Sequence, residues 1–187
     1  MRKVVVSEFV TLDGVIEAPD QWQFPFWNDA TGEFKDEELR AADAQLLGRV
    51  TFEAFAASWP AIKDDTGFAE RFNSMPKYVA STTLKEPLPW NGLLLKGNLA
   101  QAVSALKQQL GKDIIIYGGS GLVNSLLKEN LIDEYRLLLY PVVRGGGLRL
   151  FAEGSMATLD LVETRAMGSG VMLMIYKPAQ AKGVTNG

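Results

Sequence analysis

Short apolar runs alternate along the chain with stretches whose apolar residues recur every three or four positions. The runs are typical of buried strands and the periodic stretches of amphipathic helices. The predicted strands cover residues 4–10, 44–48, 77–81, 93–95, 114–117, 134–142, 158–166 and 171–177, and the predicted helices cover residues 33–42, 49–57, 67–73, 99–110 and 122–129. Alternating strands and helices predict an α/β fold with a mainly parallel central sheet flanked by helices. The last two strands follow each other directly, which predicts an antiparallel C-terminal hairpin.

The helix over residues 99–110 shows its pattern most clearly. Leu99, Val103 and Leu106 keep a helical spacing, and Asn98 just before them is a typical N-cap residue. The next run, Ile114–Tyr117, contains no charged residue and ends directly in glycines. Such a run is typical of a strand that is buried on both faces.

Length and charge limit the possible classes of protein. The chain has 187 residues, so we expect a single domain over residues 1–178 and a flexible tail over residues 179–187. A net charge of −3 argues against a nucleic-acid partner. The apolar run at the amino terminus is too short for a signal peptide, and no stretch has the length of a membrane helix. We therefore expect a cytoplasmic protein without membrane contact.

The sequence contains no Cys and no His. This excludes a cysteine nucleophile, a disulfide and a Ser-His-Asp triad, and a zinc site would lack its usual ligands. No metal site is predicted. Any catalysis must therefore come from carboxylates, hydroxyls, Lys or Arg, or from a cofactor.

The strongest chemical signal is the turn Gly118-Gly119-Ser120-Gly121 between a buried strand and a helix. Glycines let backbone N–H groups approach an anion closely, and the helix amino terminus adds a partial positive charge. The turn is neither a G-x-G-x-x-G motif nor a P-loop. Phosphate binding is the favoured interpretation, and a turn that needs glycine for backbone reasons alone is the alternative.

Two further segments lie at predicted strand ends. Gly48, Arg49 and Thr51 open a helix, and an Arg there is suited to the 2′-phosphate of NADP. Ser81 and Thr82 follow the next strand with small hydroxyls. Each signal is weak alone, but in open α/β sheets ligands bind at the carboxyl ends of the strands, where all three segments are predicted.

An aromatic loop follows the first strand, with Trp22, Phe24, Phe26 and Trp27 close together. Trp22 and Trp27 are candidates for a wall of a pocket for a flat ring, and anchoring of the loop or a subunit contact is an equal alternative. The segment 144–147 is either a flexible turn, which we favour, or an anion nest.

The order of these motifs resembles the dihydrofolate reductase-like superfamily, in particular the branch similar to the C-terminal reductase domain of bifunctional riboflavin-biosynthesis proteins. The segments that carry the resemblance are Leu12-Asp13-Gly14, Leu46–Glu53, Tyr117–Gly121, and Pro141–Gly147 with Leu150-Phe151. The resemblance covers about residues 2–178. It implies the same α/β fold, NADPH as cofactor, and reduction of pteridine or pyrimidine-type substrates.

The resemblance also implies roles for individual residues. Gly48, Arg49 and Thr51 match the segment that meets the adenosine-side phosphates, and Ser81 and Thr82 match the segment near the 2′-phosphate. Gly118, Gly119, Ser120 and Gly121 match the turn over the diphosphate, where the family often has a cis Gly–Gly bond. Asp13 and Ile16 match the loop beside the nicotinamide.

The sequence departs from true dihydrofolate reductases in one respect. Their first helix carries an acidic residue that touches the pterin, and here Asp29, Glu33, Asp36 and Glu37 all lie near that position. Folate is therefore not implied as the substrate. The leading hypothesis is an NADPH-dependent reductase of a small, flat nitrogen heterocycle, and the alternative is a non-catalytic NADP(H)-binding module.

The closing strands are apolar on both faces, with Leu159 and Leu161 on one strand and Val171 to Ile175 on the other. One layer of helices can cover only one face of a sheet edge. The sequence therefore predicts a homodimer in which a second subunit covers the other face.

Overall fold

The computed structural model describes residues 1–179. Its strands are β1 (Val4–Thr11), β2 (Ala42–Gly48), β3 (Lys77–Ala80), β4 (Gly92–Leu94), β5 (Asp113–Ile116), β6 (Glu134–Tyr140), β7 (Leu159–Gly168) and β8 (Val171–Pro178). Its α-helices are α1 (Asp29–Ala41), α2 (Arg49–Ser58), α3 (Phe68–Ser74), α4 (Leu99–Gln108) and α5 (Ser120–Lys128). Short 3-10 turns cover Pro19–Gln21, Phe24–Phe26 and Trp59–Ala61.

The strands form one sheet in the order β4-β3-β2-β5-β1-β6-β8-β7. The pairs from β4 to β6 are parallel, whereas β8 runs antiparallel to both β6 and β7. The predicted fold class, a mainly parallel sheet with an antiparallel C-terminal hairpin, is confirmed.

Helices cover both faces of the sheet. Residues of α4 and α5, such as Val103 and Val123, pack with Val4 and Ile114 on one face. Residues of α1 and α3, such as Leu39 and Phe72, pack with Ile115 and Tyr117 on the other face. Right-handed crossovers require this arrangement, since the chain moves one way along the sheet from β1 to β4 and the other way from β4 to β6.

The start of α1 differs from the start predicted from the sequence. α1 begins at Asp29, four residues before the predicted start, because the side chain of Asn28 accepts a hydrogen bond from Thr31 N–H. Asn98 caps α4 in the same way, as predicted, through Gln101 N–H. The predicted flexible tail lies, apart from residue 179, outside the described residues.

None of the helices within residues 1–179 combines the length and the apolar character that crossing a bilayer requires.

Candidate functional site

The candidate site lies at the carboxyl edge of the parallel strands, between β1 and β5. These two strands are neighbours, but the chain leaves β1 toward α1 on one face of the sheet and leaves β5 toward α5 on the other. Neighbouring strands with connections on opposite faces open a crevice at this edge, and open α/β sheets bind their ligands there. We call this place the switch-point crevice.

Gly118 and Gly119 connect β5 to α5 in the left-handed conformation, with φ of 68° and 88°. A Cβ atom on Gly118 would lie 3.1 Å from Thr51 Oγ1, so both conformation and space favour glycine. The cis Gly–Gly bond implied by the resemblance is wrong for this chain. The cis bond found within residues 1–179 joins Glu86 to Pro87.

The amino terminus of α5 offers free backbone donors. The first hydrogen bond of the helix runs from Val123 N–H to the Gly119 carbonyl, so the N–H groups of Ser120, Gly121 and Leu122 precede it. Together with the helix dipole, they favour an anion. The Ser120 hydroxyl is not available, because it is buried and donates to the Leu150 carbonyl at 3.1 Å.

The amino terminus of α2 converges on the same place. Gly48 ends β2 and caps α2, and its backbone nitrogen would lie 4.0 Å from a Cβ atom on Gly119. Arg49 is half exposed and pairs with Glu53 at 2.9 Å. An exposed i,i+4 pair is worth only a few tenths of a kcal/mol, so an anionic ligand can compete for Arg49.

The hydroxyls of Ser81 and Thr82 follow the adjacent strand, because Ala80 in β3 pairs with Gly48 in β2. Ser81 Oγ accepts hydrogen bonds from the N–H groups of Thr83 and Leu84 at 3.1 and 3.0 Å and so fixes the turn. Thr82 is exposed and free to meet a ligand at this edge.

Asp13 holds a second loop at this edge. Its carboxylate accepts hydrogen bonds from the Thr11 hydroxyl at 2.6 Å, from Arg144 N–H at 3.2 Å and from Gly145 N–H at 2.8 Å. The Thr11 hydroxyl contributes most, and together these donors lower the pKa of Asp13 to about 2. The segment 144–147 therefore acts as an anion nest for the chain's own carboxylate, whereas the sequence favoured a flexible turn.

Ile16, the other residue implied for this loop, contributes little surface. Its side chain is buried and belongs to the same core cluster as Val10 and Leu150. Its backbone N–H donates to the Leu148 carbonyl at 2.9 Å, which joins the loop after β1 to the segment that follows residue 147.

The two tryptophans proposed for the pocket wall occupy different environments. Trp22 is only 5% exposed, its ring packs edge-on against Tyr140, and its indole N–H donates to the Glu17 carbonyl. A core position of this kind corresponds to the alternative of loop anchoring, because the ring is already packed against protein. Trp27 is 44% exposed and lies 6.2 Å from the ring of Phe9, so its indole remains accessible to a flat ligand.

Sequence reasoning missed a group of buried polar side chains next to the switch-point crevice. Lys35 of α1 donates to Ser7 Oγ at 2.6 Å and to a carboxylate oxygen of Glu38 at 2.5 Å. Glu8, beside Ser7 in β1, is also buried, and its pKa is raised to about 8, mainly by burial. The available signal was the pair Ser7-Glu8 in the middle of the apolar run Val4–Val10, since carboxylates are rarely placed in a doubly covered strand.

Within residues 1–179, no cluster of three or more acidic side chains has an arrangement that could hold a metal ion. The donors at the crevice are instead backbone N–H groups, hydroxyls and one guanidinium.

Comparison with known proteins agrees with this architecture. Residues 2–173 match the RibD C-terminal domain family. The uncharacterized protein YyaP of Bacillus subtilis is 33% identical over 179 residues, which cover 94% of each chain. The chain therefore belongs to the RibD C-terminal domain family, whose fold is that of the dihydrofolate reductase-like superfamily.

Solved structures share the fold at lower identity. A putative riboflavin biosynthesis protein from Shewanella sp. PV-4 superposes with a TM-score of 0.76 at 22% identity, covering 95% of this chain and 99% of that one. The riboflavin biosynthesis reductase Rib7 of Saccharomyces cerevisiae superposes with a TM-score of 0.62 at 14% identity, covering 95% of this chain and 90% of that one. The predicted family and fold are confirmed by these matches.

Proposed function

We propose that this protein is an NADPH-dependent reductase that acts on a small, flat nitrogen heterocycle of the pteridine or aminopyrimidine type. The observation that carries the proposal is the convergence of two helix amino termini at the switch-point crevice, where Gly118 packs directly on Thr51. Family membership supports an oxidoreductase, since a solved neighbour is a riboflavin biosynthesis reductase.

The donors at the crevice fit the phosphates of NADPH. In this proposal, the backbone of Gly118, Gly119 and Gly121 approaches the diphosphate, together with the Ser120 N–H. Gly48 and Thr51 complete that wall from the side of α2. Arg49 and the hydroxyls of Ser81 and Thr82 lie at neighbouring strand ends, where they would meet the 2′-phosphate. A charged partner for that phosphate favours NADPH over NADH.

The reaction needs little acid–base apparatus from the protein. When bound, NADPH supplies the hydride, and the chain supplies binding, orientation and a proton. The exposed ring of Trp27 beside Phe9 offers a surface on which a flat heterocycle can stack. Asp13, in the loop after β1, holds the segment 144–147 at the same edge of the sheet.

The decisive experiment has two stages. Calorimetric titration with NADPH and NADH tests the cofactor, and NADPH oxidation is then followed with a panel of pterins and aminopyrimidines. Binding and turnover support the reductase. Tight NADPH binding without turnover of any compound in the panel favours the alternative, a non-catalytic NADP(H)-binding module. Failure to bind NADPH contradicts both.

We also propose a homodimer through the outer strands. Across β6 and β8, Leu137 pairs with Met174 and Leu139 pairs with Met172. The two leucines lie on the same face of the sheet as α4 and α5, which cover its central strands. Met172 and Leu161 on this part of the sheet are exposed. A second subunit would bury this apolar face. Sedimentation velocity at micromolar protein checks the proposal, and a monomer at that concentration contradicts it.

The cytoplasmic location remains a prediction.

A further inference from the structure

Glu8 is an unusual residue for the middle of a parallel sheet. Only 6% of its surface is exposed, and its carboxylate oxygen Oε1 is buried without a hydrogen-bond partner among the described residues. A buried, unpartnered carboxylate costs free energy, so a purely structural reason for Glu here is hard to find. Such a group is instead typical of sites that use it chemically.

The position of Glu8 follows from the strand register. The last pair between β1 and β5 joins Val6 to Ile116, two residues before Glu8, while on the other side Glu8 still pairs with Leu137 of β6. Glu8 therefore lies where β1 and β5 separate. The turn that begins at Gly118 closely follows β5, so the strand register brings Glu8 close to this turn at the switch-point crevice, and the Gly118 backbone acts to lower the pKa of its carboxyl group.

Within residues 1–179, Glu8 forms no salt bridge, and Lys35 pairs with Glu38 instead. Lys35 acts to lower the pKa of Glu8, but the Lys35 ammonium is already bound to Ser7 and Glu38. Glu38 itself raises the pKa of Glu8. Tyr117, which directly follows β5, is a further titratable neighbour, and its own pKa is raised in part by Glu8. Burial dominates, and the pKa of Glu8 rises to about 8. The carboxyl group is thus mostly protonated at neutral pH and is an O–H donor.

We propose that Glu8 is the proton donor of the reduction, delivering its carboxyl proton to the heteroatom of the substrate bond that is reduced. This inference rests on the proposed reductase function. The carbon of a C=N or C=O bond gains the hydride with its electron pair, and the π electrons of that bond move to the nitrogen or oxygen. That atom takes the proton of Glu8 and becomes N–H or O–H. The Glu8 carboxylate that remains is reprotonated from solvent, which completes the balance of one hydride and one proton for each turnover.

A proton-donor role for Glu8 predicts a specific dependence of kcat on pH. The protonated form is the active one, so kcat should be constant below the pKa of Glu8 and fall as pH rises through it. Glu8→Gln keeps the size and polarity of the side chain, but it removes the acid. We expect this variant to fold, to bind NADPH within about threefold of the parent, and to lose about 10²- to 10⁴-fold in kcat. The fall in kcat that the parent shows at high pH should be absent in Glu8→Gln.

Two further measurements make the test specific. Glu8→Asp retains an acid and should keep more activity than Glu8→Gln. Its kcat should still fall as pH rises through the pKa of the new aspartate. NMR titration of the Glu8 carboxyl carbon in the protein without cofactor should show a midpoint well above that of an exposed glutamate. Glu163→Gln on β7 is the matched control, because Glu163 is half exposed and pairs with Arg165, and this variant should behave like the parent.

The outcomes separate the two proposals. The role of Glu8 alone is overturned if the parent protein is active but the Glu8→Gln variant keeps kcat within about threefold. In that case kcat of the variant would still fall at high pH, as it does in the parent. An ordinary midpoint for Glu8 in the NMR titration also overturns it. A parent protein that binds no NADPH overturns the reductase proposal, and the role of Glu8 with it.

Discussion

Thr51, in the first turn of α2, packs against Gly118, two residues after the end of β5. A Cβ atom on Gly118 would lie 3.1 Å from Thr51 Oγ1 and 3.3 Å from its methyl carbon. These distances are shorter than ordinary van der Waals contact, so a side chain at position 118 would require Thr51 to move by a few tenths of an ångström. The two helix amino termini therefore approach each other closely enough to leave little room for a side chain in this turn.

The first prediction concerns the second glycine of this turn. Gly119→Val should abolish measurable NADPH binding, because a β-branched side chain at φ of 88° is strained and blocks approach to the backbone N–H groups. The strain should lower stability by about 1–3 kcal/mol, leaving a folded protein. Calorimetry measures the binding, and circular dichroism checks the fold.

A control variant separates strain from loss of the site. Gly67→Val introduces similar strain, since Gly67 has φ of 76° and precedes α3 rather than α2 or α5. This variant should lose stability but keep its affinity for NADPH. Unchanged affinity in a folded Gly119→Val protein would mean that the glycine turn has a structural role only.

Arg49→Gln should weaken NADPH binding and leave NADH binding nearly unchanged. A charge-assisted hydrogen bond to phosphate is worth about 1.5–3 kcal/mol, which corresponds to roughly tenfold to a hundredfold in affinity. Parallel titrations with the two nucleotides measure the effect. Arg165→Gln is the matched control, because Arg165 is equally exposed and also forms an ion pair with a glutamate. An equal loss of affinity for both nucleotides would contradict a contact with the 2′-phosphate.

Asp13→Ala should release the segment 144–147, because its carboxylate holds the N–H groups of Arg144 and Gly145. Hydrogen exchange at these two amides should become faster, while exchange in β1 should not change. The pKa of Asp13 is lowered, so its stabilising effect is present above the ordinary pKa of 3.8 and is lost as pH falls toward about 2. In the parent protein, acidification through this range should release the same two amides.

Asp20→Ala serves as the control for this prediction, since Asp20 is an exposed acid in the same part of the chain. Its removal should leave the exchange of Arg144 and Gly145 unaltered. Protection of these amides in Asp13→Ala would show that other contacts hold the segment.

The two tryptophans should respond differently to the same substitution. Trp22→Leu should lower the free energy of unfolding by about 2–4 kcal/mol, because it removes a buried ring and the hydrogen bond to Glu17. Trp27→Leu should change stability by less than about 1 kcal/mol and raise KM for the heterocycle, with NADPH affinity unchanged. Denaturant unfolding and steady-state kinetics measure these effects. An unaltered KM in Trp27→Leu would place the substrate elsewhere.

Much of the architecture follows from local sequence patterns. The β-branched run Val4–Val6, the isoleucines of β5 and the spacing of leucines in α4 each specify an element through contacts between residues near one another in the chain. The glycines at 118 and 119 are visible for the same reason, since a left-handed turn between a strand and a helix has a local cause. The absence of Cys and His excludes whole classes of chemistry without any structure.

The tertiary structure alone decides which of these residues meet. Glu8 comes beside Gly118 only because β1 lies next to β5, and Asp13 binds Gly145 because β6 ends on the other side of β1. The burial of Trp22 depends likewise on Tyr140, which is distant in sequence. Such contacts depend on sheet order and side-chain packing. The local hydrophobic pattern around either residue therefore does not predict them. For this protein, local patterns determine the elements and the glycine turn, while long-range packing determines the protonation state of Glu8 and the accessibility of each tryptophan.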